Sequence, residues 1–169
     1  QSLRRQRQMC IRDRSRVAAE GLCKTLVAED GKSAVVVEVN SETDFVAKNE
    51  TFQSFVKAVA AQAVNSDAKD MDAFMAEAWN EDASKTVNDA LVEKVAVIGE
   101  NLKIRRFEKV VAEHGCVVSY VHGGGRIGVI VDADTTVVND AVKEALTNIA
   151  MQIAALNPKY VSRDEVSAD

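Results

Sequence analysis

The chain has 169 residues, 47% of them hydrophobic, and a formal net charge of −5 at pH 7. This apolar content over this length excludes a disordered chain and predicts a buried core in one domain or two small subdomains. The sequence has no run of 18 apolar residues, so it predicts no membrane-spanning helix, and its basic N-terminus lacks the apolar stretch of a signal peptide. Three widely spaced cysteines predict neither a disulfide framework nor a zinc site, which makes a reducing compartment the default.

The charge is distributed unevenly along the chain. Residues 1–16 contain six arginines and one acid and sum to +5, so the remaining residues sum to −10. A basic arm on an acidic body can contact nucleic acid, but this segment has no interleaved aromatic residues and no helical periodicity. We interpret it as a solvated or non-native tail and expect no direct nucleic-acid partner. Nucleic-acid binding through this arm stays an alternative.

The first half of the chain predicts a hairpin followed by three helices. After a helical turn that Gly21 ends, residues 22–27 and 33–39 have the composition of strands. They flank Asp30-Gly31, a pair that supplies the positive φ of a hairpin turn. Helical spacing of apolar residues then predicts three helices, over residues 49–64, 71–79 and 84–98, with Gly99 ending the third.

The second half changes to an alternating pattern. Residues 102–111, 117–122 and 127–132 predict antiparallel strands, which we expect to form a meander because the connections are too short for parallel crossovers. A helix capped by Asn139 or Asp140 follows, with its apolar residues in one stripe. Proline at position 158 then ends this helix.

The segment between the second strand and the first long helix places an acid, Asp44, beside an aromatic residue, Phe45. If Asn49 caps the helix, the pair lies on a projecting loop, where the ring offers a large contact surface at low entropy cost. If the helix begins several residues earlier, Phe45 lies seven residues before Phe52 on one buried stripe. The spacing by itself favours this core interpretation.

A run of glycines in residues 123–128 matches the pattern GxGxxG after a strand, which is typical of a phosphate-binding loop. The next residues have the β-branched composition of a strand, whereas a phosphate cradle needs a helix N-terminus, so we interpret the run as a hairpin turn. Nucleotide binding by this run stays an alternative. Because His114 and His122 are isolated from other metal ligands and from nucleophiles, we expect no catalytic residue, metal or cofactor.

Three stretches carry a resemblance to a known family. They are residues 38–47 (EVNSETDFVA), 98–106 (IGENLKIRR) and 119–129 (SYVHGGGRIGV). The first resembles the signature of elongation factor Ts, the factor that releases GDP from the translational GTPase elongation factor Tu, and the other two agree with that family in order and spacing. The resemblance covers residues 17–169.

The resemblance implies an α+β fold with antiparallel sheets and packed helices. It implies two subdomains, residues 17–114 and an incomplete second one at 115–169, after a basic segment, 1–16, that resembles nothing in the family. The implied activity is guanine nucleotide exchange on elongation factor Tu, without catalytic residues in the factor itself.

The resemblance also implies the contact residues. Those matching Asp44 and Phe45 enter the GTPase near its magnesium site, which moves Phe45 from core to contact. Those matching His122 and Gly123 belong to the second subdomain and face other parts of the partner. The complete set of implied partner-binding residues is Thr43, Asp44, Phe45, Val46, His122 and Gly123.

Family members carry a helical domain before this region and more of the second subdomain after it. We therefore expect this chain to be a fragment with weakened affinity for the GTPase, and to self-associate through an open sheet edge. A bacterial cytoplasm is the expected compartment, with a plastid or mitochondrion as the alternative.

Overall fold

The structure is a computed structural model that describes residues 17–167. The arginine-rich segment 1–16, and with it the nucleic-acid alternative, lies outside the described residues. The predicted helical turn before Gly21 is wrong over its described part, because residues 17–19 are irregular and the first strand already begins at Glu20. The fold is α+β, with antiparallel sheets and packed helices as the sequence predicts.

The elements follow one another along the chain with short connections. In order they are β1 (Glu20–Val27), β2 (Ser33–Ser41), α1 (Asp44–Ala47), α2 (Glu50–Asn65), α3 (Met71–Ala76), β3 (Ala78–Trp79), β4 (Asp82–Thr86), α4 (Val87–Ile98), β5 (Lys103–Val111), β6 (Cys116–His122), β7 (Ile127–Ala133), α5 (Asp140–Leu156) and a 3-10 turn (Arg163–Glu165). No helix within residues 17–167 is long and apolar enough to cross a membrane.

The main sheet has three antiparallel strands in the order β1-β2-β5. Its central strand alternates as predicted, with Val35, Val37 and Val39 fully buried on one face. The predicted meander is wrong in its pairing, because β5 pairs with β2 and not with β6. A central strand has backbone hydrogen-bonding groups on two edges, and β5 satisfies the edge that β1 leaves free.

The core lies between this sheet and α2. Phe52, Phe55 and Val59 project from α2 into it, and Phe55 packs against Trp79 with ring centroids 5.9 Å apart. The predicted second helix is wrong beyond Ala76, because the chain there enters the β3–β4 hairpin. The amide of Gln62 on α2 holds this hairpin, donating to the Ala78 carbonyl and accepting from the Asn80 N–H.

The β4 strand also shortens the predicted third helix at its start. Helix α4 begins after Thr86, whose side chain and that of Asp89 form a reciprocal capping box. Its end is the predicted one, since Gly99 follows it in the left-handed conformation, φ 80°.

The β6–β7 hairpin packs on the other face of the main sheet. The Cys23 N–H of β1 donates to the Gly125 carbonyl at 2.7 Å, and a Cβ added to Gly128 would lie 2.8 Å from Cγ2 of Val36. Glycine at position 128 is therefore what allows the two layers to approach. The subdomain boundary at residues 114/115 stays a prediction.

Helix α5 packs against β6 and β7, and of the two predicted caps, Asn139 and Asp140, it uses Asn139. Its apolar stripe is covered only in part, because Ala150 is fully buried whereas Ile149 and Leu156 are exposed.

Candidate partner-binding site

The segment after β2 forms a projecting tip, which we define as Thr43, Asp44, Phe45 and Val46. Phe45 is 78% exposed and the side chain of Asp44 is 58% exposed. Val46, by contrast, is half-buried and packs against the core cluster. The interpretation of Phe45 as a core residue is therefore wrong, and the tip presents an acid and an aromatic ring together.

Two helix caps in succession produce this geometry. Thr43 caps α1, a helix of four residues, and Asn49 caps α2 by accepting from the N–H groups of Thr51 and Phe52. Spacing of seven residues aligns two side chains only along a continuous helix. Because the helix is interrupted between α1 and α2, Phe45 lies outside the apolar stripe of α2 that buries Phe52.

A carboxylate from a distant part of the chain holds the base of the tip. Glu100 Oε2 accepts from the N–H groups of Glu42 and Thr43, at 3.2 and 3.1 Å, and its Oε1 accepts from the Thr43 hydroxyl at 2.6 Å. In the opposite direction, the Asn101 N–H donates to Glu42 Oε1 at 2.6 Å. Sequence reasoning missed Glu100, although it lies within the family-like stretch 98–106.

The acid of the tip has a cation beside it. Lys48 Nζ lies 3.7 Å from Asp44 Oδ2, one helical turn away, and both side chains are largely exposed. An exposed pair of this kind contributes little free energy, so it does not prevent Asp44 from meeting another charged group.

The second predicted contact region lies at the end of β6. The Nδ1 atom of His122 is 2.9 Å from the Tyr120 hydroxyl, and Gly123 follows with φ 61° at the start of a tight turn. Strand β7 begins directly after this turn, at Ile127. The glycine run is thus a hairpin turn, as predicted, and it lacks the helix N-terminus that a phosphate cradle requires.

A groove of about 490 Å³ lies between β1, α2 and the glycine turn. Gln53 lines it near the tip and donates its side-chain amide to the Ala47 carbonyl of α1. Lys24 of β1, Gly124 and Gly125 also line it. The groove therefore reaches the glycine turn, but none of the six predicted contact residues lines it.

The model of the family described as Elongation factor TS matches residues 42–169, which is most of the chain. The chain belongs to the elongation factor Ts family. Its curated relatives include Elongation factor Ts of Halothermothrix orenii, 46% identical over 91% of this chain and 51% of the relative, and that of Clostridioides difficile, 50% identical over 91% of this chain and 50% of the relative. The chain thus spans about half the length of these relatives.

The elongation factor Ts match begins at Glu42, so the tip, Glu100 and the glycine turn all lie within it. The family resemblance stated from three short stretches is therefore confirmed. The assignment of individual contact residues is a separate matter, because a family match does not identify which side chains touch a partner. Those assignments stay predictions.

A charge cluster joins β2 and β5, and its two arginines, but not Glu38, lie within the elongation factor Ts match. Glu38 accepts from Arg105 Nη1 at 3.2 Å and from Arg106 Nε at 2.7 Å, because a bulge lets two successive arginines reach it. Partial burial acts to raise the pKa of Glu38, but hydrogen bonds from Arg106 and Asn40 and the two arginine charges outweigh it, so the pKa is below the ordinary value of 4.5. We interpret this cluster as structural.

The described residues meet few of the requirements of a metal site or of a reactive thiol. Across the part of the chain that the structure describes, no three or more His, Cys, Asp and Glu side chains are grouped so that they could hold a metal ion. Cys23 has its pKa raised by burial and next by the charge of Glu38, which disfavours the reactive thiolate.

Proposed function

We propose that this chain acts in translation as a guanine nucleotide exchange factor that promotes GDP release from elongation factor Tu. Membership of the elongation factor Ts family supports this function. The observation that carries the site is the exposure of Phe45, 78%, on a segment whose base is tied down by Glu100. A large apolar ring exposed on a held segment is well suited to enter a pocket of another protein.

The proposed mechanism is thermodynamic linkage, without a covalent step. A factor that binds the nucleotide-free GTPase more tightly than the GDP form must, by reciprocity, weaken GDP binding by the same ratio. We assign the displacing role to Asp44 and Phe45. The ring would enter the GTPase, and the carboxylate would disturb the charge balance at the magnesium ion that holds the nucleotide.

His122 and Gly123 are proposed as a second contact to the same partner. The support for this is that both residues are exposed, at the glycine turn that ends β6. An exposed turn of this kind is free to meet a second part of the GTPase surface. The relatives named above are bacterial, which supports a bacterial cytoplasm as the compartment.

The test is release of fluorescent GDP from elongation factor Tu, followed by stopped flow with this chain in excess. We expect acceleration by the unmodified chain, and its loss in the double variant Asp44→Ala/Phe45→Ala. The matched control is Val111→Ala/Glu113→Ala, which also removes one exposed apolar and one exposed acidic side chain. These residues lie near the opposite end of the main sheet, because Val111 pairs with Ser33 whereas the tip follows Ser41.

Two results would contradict the proposal at different levels. If the unmodified chain does not accelerate GDP release, the exchange function is wrong for this chain. If the chain is active and the Asp44→Ala/Phe45→Ala variant equals the control, the function stands and the assignment of the tip is wrong.

A further inference from the structure

We propose that Glu100 is a positioning residue that fixes the orientation of the tip, and this inference depends on the exchange function proposed above. Glu100 lies 57 residues from Thr43 in sequence, directly after the left-handed Gly99 that ends α4. Its role would be to hold Asp44 and Phe45 in the arrangement that meets the GTPase. Glu100 itself need not touch the partner.

The hydrogen-bond geometry supports this role. The carboxylate of Glu100 accepts from two consecutive backbone N–H groups, those of Glu42 and Thr43, and from the Thr43 hydroxyl. Hydrogen bonds to an ionised acceptor are stronger than those between neutral groups. The reciprocal bond from the Asn101 N–H to Glu42 Oε1 joins the same two loops a second time. The base of the tip is therefore held at two consecutive residues, Glu42 and Thr43, through both backbone and side chain.

The tip requires such support because α1 is very short. A helix of four residues is far below the length at which a helix is stable by itself in water, and α1 contains no fully buried residue. Local contacts contribute a Thr43 cap at 3.4 Å and the partial burial of Val46. Without Glu100, we expect the tip to populate several orientations, of which only one fits the partner.

This reasoning predicts a specific kinetic signature. When the competent state is only fractionally populated, apparent affinity falls by that fraction, while the bound complex is unchanged. Glu100→Ala should therefore raise the half-saturating concentration of the factor by about tenfold, the equivalent of one lost charge-assisted hydrogen bond, and leave the saturated release rate nearly unchanged. Removal of Asp44 and Phe45 should instead lower the saturated rate.

The experiment measures GDP release against factor concentration for Glu100→Ala, Glu100→Gln and the control Glu113→Ala. Glu100→Gln has nearly the same shape and keeps one oxygen for the two backbone N–H groups, so we expect a smaller increase in half-saturating concentration. Hydrogen exchange of the Glu42 and Thr43 amides, read by NMR, is the second measurement and needs no partner. We expect both amides to exchange at least about tenfold faster in Glu100→Ala, while the amides of β2 stay protected.

The outcomes separate this inference from the function on which it depends. Unchanged exchange of the Glu42 and Thr43 amides in Glu100→Ala would overturn the positioning role whatever the activity. A normal concentration dependence in Glu100→Ala, alongside lost activity in Asp44→Ala/Phe45→Ala, would overturn it while leaving the function intact. Binding affinity for the nucleotide-free GTPase gives a third outcome. An additive further loss of that affinity when Glu100→Ala is combined with Asp44→Ala/Phe45→Ala would also contradict the positioning role, because a residue acting through the tip has nothing left to position.

Discussion

The two phenylalanines Phe45 and Phe52 provide a direct stability test of the fold around the tip. They are seven residues apart, yet Phe52 is fully buried and Phe45 is 78% exposed. Truncating a fully buried phenylalanine to alanine costs about 3–5 kcal/mol in free energy of unfolding, including the cavity that it leaves. Phe45 buries only about a fifth of its surface, and full burial contributes about 1.5–3 kcal/mol, so its truncation should cost no more than roughly 0.7 kcal/mol.

The assay is urea unfolding of Phe45→Ala and Phe52→Ala at pH 7, followed by circular dichroism, with the unmodified chain as reference. We expect Phe45→Ala to unfold at nearly the reference midpoint, and Phe52→Ala to be strongly destabilised or unfolded. A loss of about 1.5 kcal/mol or more in Phe45→Ala would refute the reasoning, because a cost of that size requires a buried ring.

Two further predictions concern the packing of the second hairpin and the charge cluster on the main sheet. Gly124→Ala and Gly125→Ala both place a side chain at positive φ, but only the Cβ at position 125 would meet Leu22, at 2.7 Å. Gly125→Ala should therefore lower the unfolding free energy by at least about 1 kcal/mol more than Gly124→Ala does. Equal losses of unfolding free energy for the two variants in urea would contradict this. Because the pKa of Glu38 is lowered in the folded state, its stabilisation is complete above pH 4.5 and is lost as the pH falls through the folded value. The stability difference between the unmodified chain and Glu38→Gln should therefore shrink as the pH is lowered below 4.5. A difference in urea midpoints that stays constant through this decrease would show that the ion pairs do not act in this way.

Local signals in the sequence predicted the ends of several elements correctly. Asn49 and Asn139 cap the helices that the sequence assigned to them, and Gly99 ends α4. The alternation of Val35, Val37 and Val39 identified the buried face of β2. These features depend on φ preferences and on side chains that bond neighbouring backbone groups, so a short window of sequence contains the information that determines them.

Other features were wrong or missed because they depend on contacts between distant segments. The β3–β4 hairpin replaces predicted helix where Gln62 binds its backbone, a contact across 16 to 18 residues. Strand β5 pairs with β2 across four intervening helices, where local rules favoured its neighbour β6. Propensity and periodicity describe one segment at a time, so neither could identify these partners.

The features of the candidate site also separate into those that the sequence determined and those that depend on distant contacts. The sequence by itself determined the family, through three short stretches that include the tip, and it offered two starts for the helix, one at Asn49 and one several residues earlier. Only the tertiary structure decided that both caps are used, that Phe45 points outward, and that Glu100 holds the base of the tip. The physical reason is that a four-residue helix has too little free energy of its own to fix its orientation, so contacts from the loop after α4 have to supply it.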